Sequence, residues 1–245
     1  MLAIIGGSGL TQLSSMADTH RKVVRTPYGE PSGPLTYGRI RGREAVFLAR
    51  HGYGHTIAPH EVNYRANLWA LREERVEGVV SVASVGGIRP ELAPGSLLVP
   101  DQLIDYTWGR PSTYYEGAAN PVTHIDFTEP YSAALRARIL AAARSCGEKV
   151  FERGTYAATQ GPRLETKAEI DRLERDGAAV VGMTGMPEAA LARELGLEYA
   201  AIAVCANFAA GRGESARAVP LERIEAVLAE AMGRVRRIIE QLVSA

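Results

Sequence analysis

The segment Gly161-Pro162-Arg163-Leu164-Glu165-Thr166 places one carboxylate shortly after a Gly-Pro pair. The residues before it form a short apolar run typical of a strand, and those after it follow a helical pattern. A carboxylate at such a junction can accept hydrogen bonds from a ligand but cannot donate them. An ordinary helix start gives the same pattern, because Pro suits the first turn and the helix dipole stabilises an acidic residue there. Glu165 is therefore a candidate binding residue that needs support from the rest of the chain.

A glycine-rich turn follows the first apolar run, at residues 6–10 (Gly-Gly-Ser-Gly-Leu). Such a turn exposes backbone N–H groups, and Ser8 adds a hydroxyl, which together suit a phosphate. It is not a Walker A loop, because no Gly-Lys-Ser/Thr follows. It also fails the dinucleotide-binding pattern, because Gln12 stands where the third glycine is required. A plain tight turn remains the alternative.

Arg50 and His51 leave the strand predicted over residues 44–49. An arginine can hold a doubly charged anion through the parallel N–H groups of its planar fork, with the histidine beside it. A solvated arginine next to a structural histidine has the same sequence pattern. His55 and His60 follow, but they lack the spacing of metal ligands, so we predict no metal site.

Two further strand ends are rich in small residues, at 81–87 (Ser-Val-Ala-Ser-Val-Gly-Gly) and 182–188 (Gly-Met-Thr-Gly-Met-Pro-Glu). Small side chains let a ligand approach the backbone closely. Thr184 adds a hydroxyl near a predicted helix start. Because ligands of open α/β sheets bind at the carboxyl ends of the strands, these elements together predict one anion-binding site.

The elements that position these residues alternate between apolar runs and amphipathic helical patterns. This order predicts one α/β domain over residues 1–245, with a mixed central sheet flanked by helices. We expect strands over residues 2–5, 35–40, 44–49, 78–84, 96–100, 154–159, 180–182 and 199–206. We expect helices over residues 60–75, 131–146, 165–176, 187–195 and 221–242. The long loop over residues 106–130 is expected to serve a site or an interface.

Composition excludes several classes of protein. The chain has 28 basic and 28 acidic residues, so no basic field is available for nucleic acid or an anionic membrane surface. The first residues lack the basic start of a signal peptide, and no apolar run approaches the length of a membrane span. Cys146 and Cys205 are expected to be buried thiols rather than a bridge. We therefore expect a cytoplasmic protein.

Five motifs in this order resemble a known family: residues 6–10, 50–52, 62–67, 161–166 and 182–188. They resemble the trimeric purine nucleoside phosphorylase and methylthioadenosine phosphorylase family, and most closely its branch that acts on S-methyl-5′-thioinosine. The resemblance implies the single-domain phosphorylase/hydrolase-like fold. It also implies a reaction without metal or other cofactor, in which inorganic phosphate attacks the anomeric carbon of a purine nucleoside and releases the free base.

The resemblance further implies a role for individual residues. The phosphate would be held by Ser8, Arg50, His51, the Ser84 backbone amide and Thr184. Met183 would lie under the ribose and Leu164 near the base, while Ala83 stands where relatives often carry a polar residue. His124 resembles the residue that reaches from one subunit into the neighbouring site, which implies a homotrimer.

Glu165 and Asn207 are expected to read the base. A 6-oxopurine carries a proton on N1 that can be donated to Glu165, whereas N1 of adenine carries a lone pair. Asn207, followed by Phe208 and Ala209, ends the last predicted strand, and its amide can donate to O6 or N7 of the leaving base. An Asn is also common where a strand turns. Its pairing with Glu165 resembles the relatives that take 6-oxopurines.

The 5′ end of the sugar pocket is expected to be apolar. Relatives that bind a free 5′-hydroxyl place a histidine before the last helix, whereas this chain offers only Val219 and Leu221 there. An apolar wall favours a methylthio group, since a buried hydroxyl would lose its hydrogen bonds to water. The predicted substrate is thus S-methyl-5′-thioinosine. The alternatives are methylthioadenosine, inosine or guanosine as substrate, and a nucleoside-binding module without catalysis.

Overall fold

The computed structural model describes residues 1–118 and 120–245, and a mixed β-sheet forms its centre. The strands are β1 Leu2–Gly6, β2 Ala17–Lys22, β3 Leu35–Ile40, β4 Arg43–Ala49, β5 Gly78–Gly87, β6 Leu97–Leu98, β7 Gln102–Asp105, β8 Thr155–Ala158, β9 Ala178–Gly182 and β10 Tyr199–Phe208. The helices are α1 Tyr64–Glu73, α2 Ala133–Ser145, α3 Lys167–Arg175, α4 Gly185–Glu194 and α5 Leu221–Ser244. The predicted α/β class with a mixed sheet and flanking helices is confirmed.

Strand β5 changes neighbours partway along its length. Its residues Gly78 to Ser81 pair in parallel with β1, and Gly86 and Gly87 pair antiparallel with β9. Its other edge runs parallel to β10. Because β9 is antiparallel to β5, the carboxyl ends of β1 and β9 face each other. The loops that leave these two strands therefore begin at the same point of the sheet, and α/β sheets commonly bind ligands at the carboxyl ends of their strands.

Two layers of helices cover the two faces of the sheet. Helices α1 and α4 pack with one set of strand side chains, and α2 and α5 pack with the other. The neighbouring residues Val79 and Val80 of β5 belong to the two different cores, because successive side chains of a strand point to opposite faces. Burial on both faces explains why β5 and β10 are continuous apolar runs rather than alternating ones.

Helix α3 begins later than the sequence pattern predicts, and this changes the setting of Glu165. Thr166 is the N-cap, its side chain accepts from the Glu169 N–H, and Glu169 accepts in return from the Thr166 N–H. These reciprocal bonds form a capping box, which fixes the first turn after Glu165. Hydrogen bonds from Arg163 and the Thr166 amide lower the pKa of Glu169 to about 2. Glu169, and not Glu165, is therefore the acidic residue of the first turn.

Strands β2 and β7 were not predicted from the sequence. The side chains of β2 are all exposed, and the strand is held by its antiparallel pairing with β3. The two cysteines are unbridged, as predicted, although Cys146 is only half-buried. Burial raises the pKa of the Cys205 thiol to about 12. No helix among the described residues has the length and apolar character needed to cross a membrane.

Candidate active site

A cavity of about 440 Å³ lies where β5 exchanges β1 for β9. Its size suits a small molecule. Most of the residues singled out in the sequence line it, namely Ser8, Arg50, His51, Ala83, Ser84, Leu164, Glu165, Met183, Thr184, Asn207, Ala209 and Val219. His124, Phe208 and Leu221 do not line this cavity. The cavity thus collects residues from the ends of six strands, or the loops that follow them, and from the first turns of α5.

The glycine-rich turn after β1 forms one end of the cavity. The Ser8 hydroxyl lies 3.2 Å from Nε2 of His55, and the Ser84 hydroxyl donates to the Ser8 carbonyl at 3.1 Å. A Cβ atom on Gly7 would lie 2.6 Å from the Val82 carbonyl oxygen, so only glycine fits there. The turn is therefore held rigidly against β5, with the Ser8 side chain at the cavity.

Arg50 directs most of the donors of its planar fork to protein groups rather than to the cavity. Its Nε donates to Glu188 Oε2 at 2.7 Å, and its Nη2 donates to Glu188 Oε1 at 3.1 Å. The remaining bonds go to the Ser81 hydroxyl at 2.6 Å and the Val82 carbonyl at 3.0 Å. A guanidinium has five N–H groups, so one N–H of Nη1 is left. A Cβ on Gly7 would lie 2.8 Å from this Nη1, which places it beside the glycine-rich turn.

Glu188 neutralises Arg50 in a buried ion pair. Both side chains are fully buried. Glu188 Oε1 also accepts from Ser81 at 2.6 Å and from the Tyr199 hydroxyl at 2.8 Å, which satisfies the buried carboxylate. Burial alone would lower the pKa of Arg50, but the Glu188 charge outweighs it and the pKa lies above its ordinary value. The pair therefore adds little net charge to the cavity.

His51 is held in one tautomer by the backbone. Its Nδ1 lies 2.9 Å from the Ile57 carbonyl oxygen, which can only accept, so Nδ1 carries the proton. Burial, together with the charge of Arg50, lowers the pKa of His51 to about 4. The ring is therefore neutral at neutral pH, and its Nε2 is a hydrogen-bond acceptor.

Thr184 and Met183 come from the loop between β9 and α4. Thr184 is buried and lines the cavity, its hydroxyl makes no bond to the helix that it precedes, and its amide donates to the Tyr156 hydroxyl at 3.4 Å. Met183 packs closely against Gly161, where a Cβ would lie 2.3 Å from its sulfur. This contact brings the loop that contains Glu165 against the loop that contains Thr184.

Glu165 is oriented by a neighbouring threonine. The Thr159 hydroxyl donates to Glu165 Oε1 at 2.6 Å, and the Thr159 amide donates to the Gly182 carbonyl at 2.8 Å. Among the described residues, no donor lies within hydrogen-bond distance of Glu165 Oε2. One carboxylate oxygen is thus fixed by the protein, while the other can accept from a ligand.

Asn207 reaches the cavity because of an irregularity in β10. The pairing with β5 shifts between Cys205 and Asn207, which is the register of a β-bulge, and bulges re-aim the side chains that follow them. The Asn207 amide donates once, to the Phe208 carbonyl at 2.7 Å, and keeps a second N–H. The Phe208 ring packs instead against Gly213, where a Cβ would lie 2.5 Å from it. Phe208 therefore turns away from the cavity.

The apolar wall of the cavity differs in part from the prediction. Val219 lines it as expected, but Leu221 is 63% exposed and lies outside it. Ile224 and Leu228 complete the wall. These two residues are four positions apart on α5 and so share one face of the helix. Their spacing is the signal by which the sequence could have identified them.

Two observations concern groups outside the cavity. His124 lies on the long loop between β7 and α2 and is exposed. In the part of the chain that the structure describes, no three His, Cys, Asp or Glu side chains are grouped as a metal would require.

The chain matches one protein family and is similar to the three known proteins named below. Residues 1–244 match the family described as Phosphorylase superfamily. Over 243 residues the chain is 52% identical to a probable S-methyl-5′-thioinosine phosphorylase of Pseudomonas syringae pv. tomato, covering 99% of this chain and 98% of the relative. Over 215 residues it is 47% identical to a 6-oxopurine nucleoside phosphorylase of Pyrococcus furiosus, covering 86% and 80%. It is also similar to the structure of methylthioadenosine phosphorylase from Schistosoma mansoni in complex with adenine, with a TM-score of 0.94, 32% identity, and 99% and 90% of the two chains covered.

Proposed function

The chain belongs to the phosphorylase superfamily and is a nucleoside phosphorylase, and we propose that its substrate is S-methyl-5′-thioinosine. The products would be hypoxanthine and 5-methylthioribose 1-phosphate, a step of purine salvage. The observation that carries the proposal is the free acceptor oxygen of Glu165, fixed in place by the Thr159 hydroxyl. The relative of Pseudomonas syringae, which carries this substrate in its name, supports the same assignment.

Glu165 is proposed to distinguish the purine. Its Oε2 would accept a hydrogen bond from N1–H of hypoxanthine, whereas N1 of adenine would present a lone pair to the carboxylate. A mismatched polar pair costs roughly 1–3 kcal/mol, and more beside a charge. Since each 1.36 kcal/mol is a factor of ten, the expected preference for the 6-oxopurine is about fivefold to a few hundredfold.

Asn207 is proposed to stabilise the leaving base. As the bond between the sugar and the purine breaks, both electrons move onto the base. The Asn207 N–H that is not bonded to Phe208 would donate to O6 or N7 and spread this negative charge. Asn207 and Glu165 would therefore be the catalytic residues at the base.

The phosphate is proposed to lie between the glycine-rich turn and the loop before α4. Ser8, Thr184 and the one free N–H of Arg50 would donate to it, along with the backbone amide of Ser84. Nε2 of neutral His51 would accept from the P–OH of hydrogen phosphate. A phosphate oxygen then bonds to the anomeric carbon as the base leaves, and the proton of hydrogen phosphate is balanced by the proton gained by the free base. The protein positions the two reactants, and no cofactor enters the proposal.

The sugar is proposed to lie over Met183, with its 5′ group against the wall of Val219, Ile224 and Leu228. A methylthio group can bury its apolar surface there. A 5′-hydroxyl would lose hydrogen bonds to water without replacing them. This wall is the observation that favours methylthioinosine over inosine or guanosine, while Leu164, at the cavity mouth, would border the base.

We also propose that the enzyme is a cytoplasmic homotrimer, with His124 reaching the site of the neighbouring subunit. The exposed His124 is absent from the cavity of its own chain, and Trp108 on the same loop is 72% exposed. An exposed aromatic beside the site is typical of a protein interface. The unbridged cysteines are consistent with a reducing compartment.

Steady-state kinetics with phosphate and three nucleosides tests the proposed substrate. We expect kcat/KM to be highest for methylthioinosine, lower by about tenfold or more for methylthioadenosine, and lower for inosine. A clearly higher value for methylthioadenosine would contradict the assignment of Glu165. A higher value for inosine would contradict the role of the apolar wall. Base release that does not depend on phosphate, or none at all, would favour a binding module.

A further inference from the structure

Arg110 is a buried cation that has no carboxylate partner among the described residues. It follows β7 on the long loop and is 8% exposed, yet it is absent from the ion pairs of the described part of the chain. Burying an unpaired charge is costly unless its donors are all satisfied. The free-energy cost of burying the Arg110 charge must therefore be offset by hydrogen bonds.

The carbonyls of two different loops supply these bonds. Nη1 donates to the carbonyls of Met183 and Met186, each at 2.7 Å. Nη2 donates to the carbonyls of Gln160 at 2.7 Å and Thr159 at 3.3 Å, and Nε donates to the Gln160 side-chain oxygen at 3.1 Å. Nη1 also lies 3.4 Å from the Tyr64 hydroxyl oxygen, so the five N–H groups of the guanidinium face six acceptors. The planar fork spans both loops at once.

These two loops form opposite parts of the proposed site. Thr159 and Gln160 begin the segment that leads to Glu165, and the Thr159 hydroxyl holds the Glu165 carboxylate. Met183 and Met186 bracket Thr184 at the start of α4, where the backbone of Met186 is not yet helical. Arg110 does not itself line the cavity. Arg110 can therefore affect a ligand through the loops to which it is bonded.

We propose that Arg110 is a positioning residue that fixes the loop of Glu165 relative to the loop of Thr184. The proposal rests on the proposed function, because it assumes that these loops hold the base and the phosphate. It assigns to one side chain a joint effect on base selectivity and phosphate affinity. A residue that only stabilised the fold would change neither the base selectivity nor the phosphate affinity.

A lysine at position 110 keeps the charge but not the geometry. A lysine ammonium is a compact charge with three donors on one atom, so it cannot bridge both loops as a planar fork does. Arg136 on α2 provides a matched control. It also donates to backbone carbonyls, those of Pro100 at 2.8 Å and Val99 at 3.3 Å, and it lines no part of the cavity.

The experiment compares Arg110→Lys with Arg136→Lys. For each, kcat/KM for methylthioinosine and methylthioadenosine, the KM for phosphate and the melting temperature are measured. For Arg110→Lys we expect the ratio of the two kcat/KM values to move toward one by about tenfold and the phosphate KM to rise by a similar factor. For Arg136→Lys we expect a lower melting temperature with both kinetic quantities unchanged. An Arg110→Lys variant that loses only thermal stability would overturn the proposal.

A milder variant covers the case in which Arg110→Lys does not fold. Gln160→Met removes one of the acceptors of Arg110 while keeping the length of the side chain, and we expect a two- to threefold shift, roughly, in the same two quantities. No shift would again contradict the role of Arg110. Failure of the proposed function is read separately, from the wild-type preference. If the wild type preferred methylthioadenosine, the effect of Arg110 would still appear as a change in the ratio relative to wild type.

Discussion

Arg50 and His51 both follow β4, but one is a hydrogen-bond donor toward an anion and the other is an acceptor. Arg50 gives most of its donors to Glu188, Ser81 and Val82, whereas His51 is neutral and offers an acceptor. In the proposed site, phosphate affinity would therefore rest on individual hydrogen bonds and not on a local excess of positive charge. This suits a chain whose net charge is zero.

The buried, neutral His51 predicts a pH dependence of stability. Its pKa is about 4 in the folded protein and 6.5 without burial, so the unfolded chain binds the proton more readily between these values. The free energy of unfolding should therefore fall as the pH falls through this window, and the sign follows from the extra proton bound by the unfolded chain. The contribution of His51 between pH 7 and pH 5 is on the order of 1–2 kcal/mol.

His51→Asn tests this dependence, because the Asn amide can still donate to the Ile57 carbonyl but does not titrate. Urea unfolding of both proteins at the two pH values gives the comparison. We expect the variant to lose less stability on acidification than the wild type. Equal losses would mean that His51 is not held neutral by its surroundings.

At the scale of elements, the runs of apolar residues were sufficient to predict most of the sheet. Strands such as β1, β5 and β10 are buried on both faces, so hydropathy marks them clearly. Strand β2 has only exposed side chains, and its pairing with β3 leaves no hydropathy signal. The late start of α3 could have been predicted from Thr166 and Glu169, which have the spacing of a capping box.

The elements also show why part of the candidate site could not be predicted. Arg50 and Glu188 are 138 positions apart and meet only in the folded chain. No sequence pattern near Arg50 therefore shows that its planar fork is bonded to a carboxylate. Arg110 is bonded mainly to backbone carbonyls, and because every residue has a carbonyl, the sequence does not show which ones it contacts. The bulge that aims Asn207 depends on the register between β10 and β5. By contrast, the residues of short strand-end motifs, such as Ser8 and Thr184, were located by the sequence.

At the scale of the whole molecule, the point where β5 changes neighbours determines where the site lies. The loops of β1 and β9 both begin there, and β10 and α5 close the cavity from the other side. His124 and Trp108 lie on the loop that the cavity of this chain does not use. The proposed trimer would give this loop its role, at the site of a neighbouring subunit.

Light scattering and kinetics test the trimer together. We expect a mass three times the 26.4 kDa of the chain. In His124→Ala we expect the KM for the nucleoside to rise severalfold, because about one hydrogen bond to the nucleoside is lost. The mass of the assembly should not change. His60→Ala is the control, since His60 is also exposed and does not line the cavity. A monomeric wild type with full activity would contradict the role of His124.

Glu165, supported by Asn207, is proposed to select the purine. This role is tested most directly by the ratio of kcat/KM for methylthioinosine to that for methylthioadenosine, in the wild type and in a Glu165→Ser, Asn207→Asp double variant. We expect a ratio well above one in the wild type that falls by about tenfold or more in the variant. An unchanged ratio would mean that these two residues do not read the base.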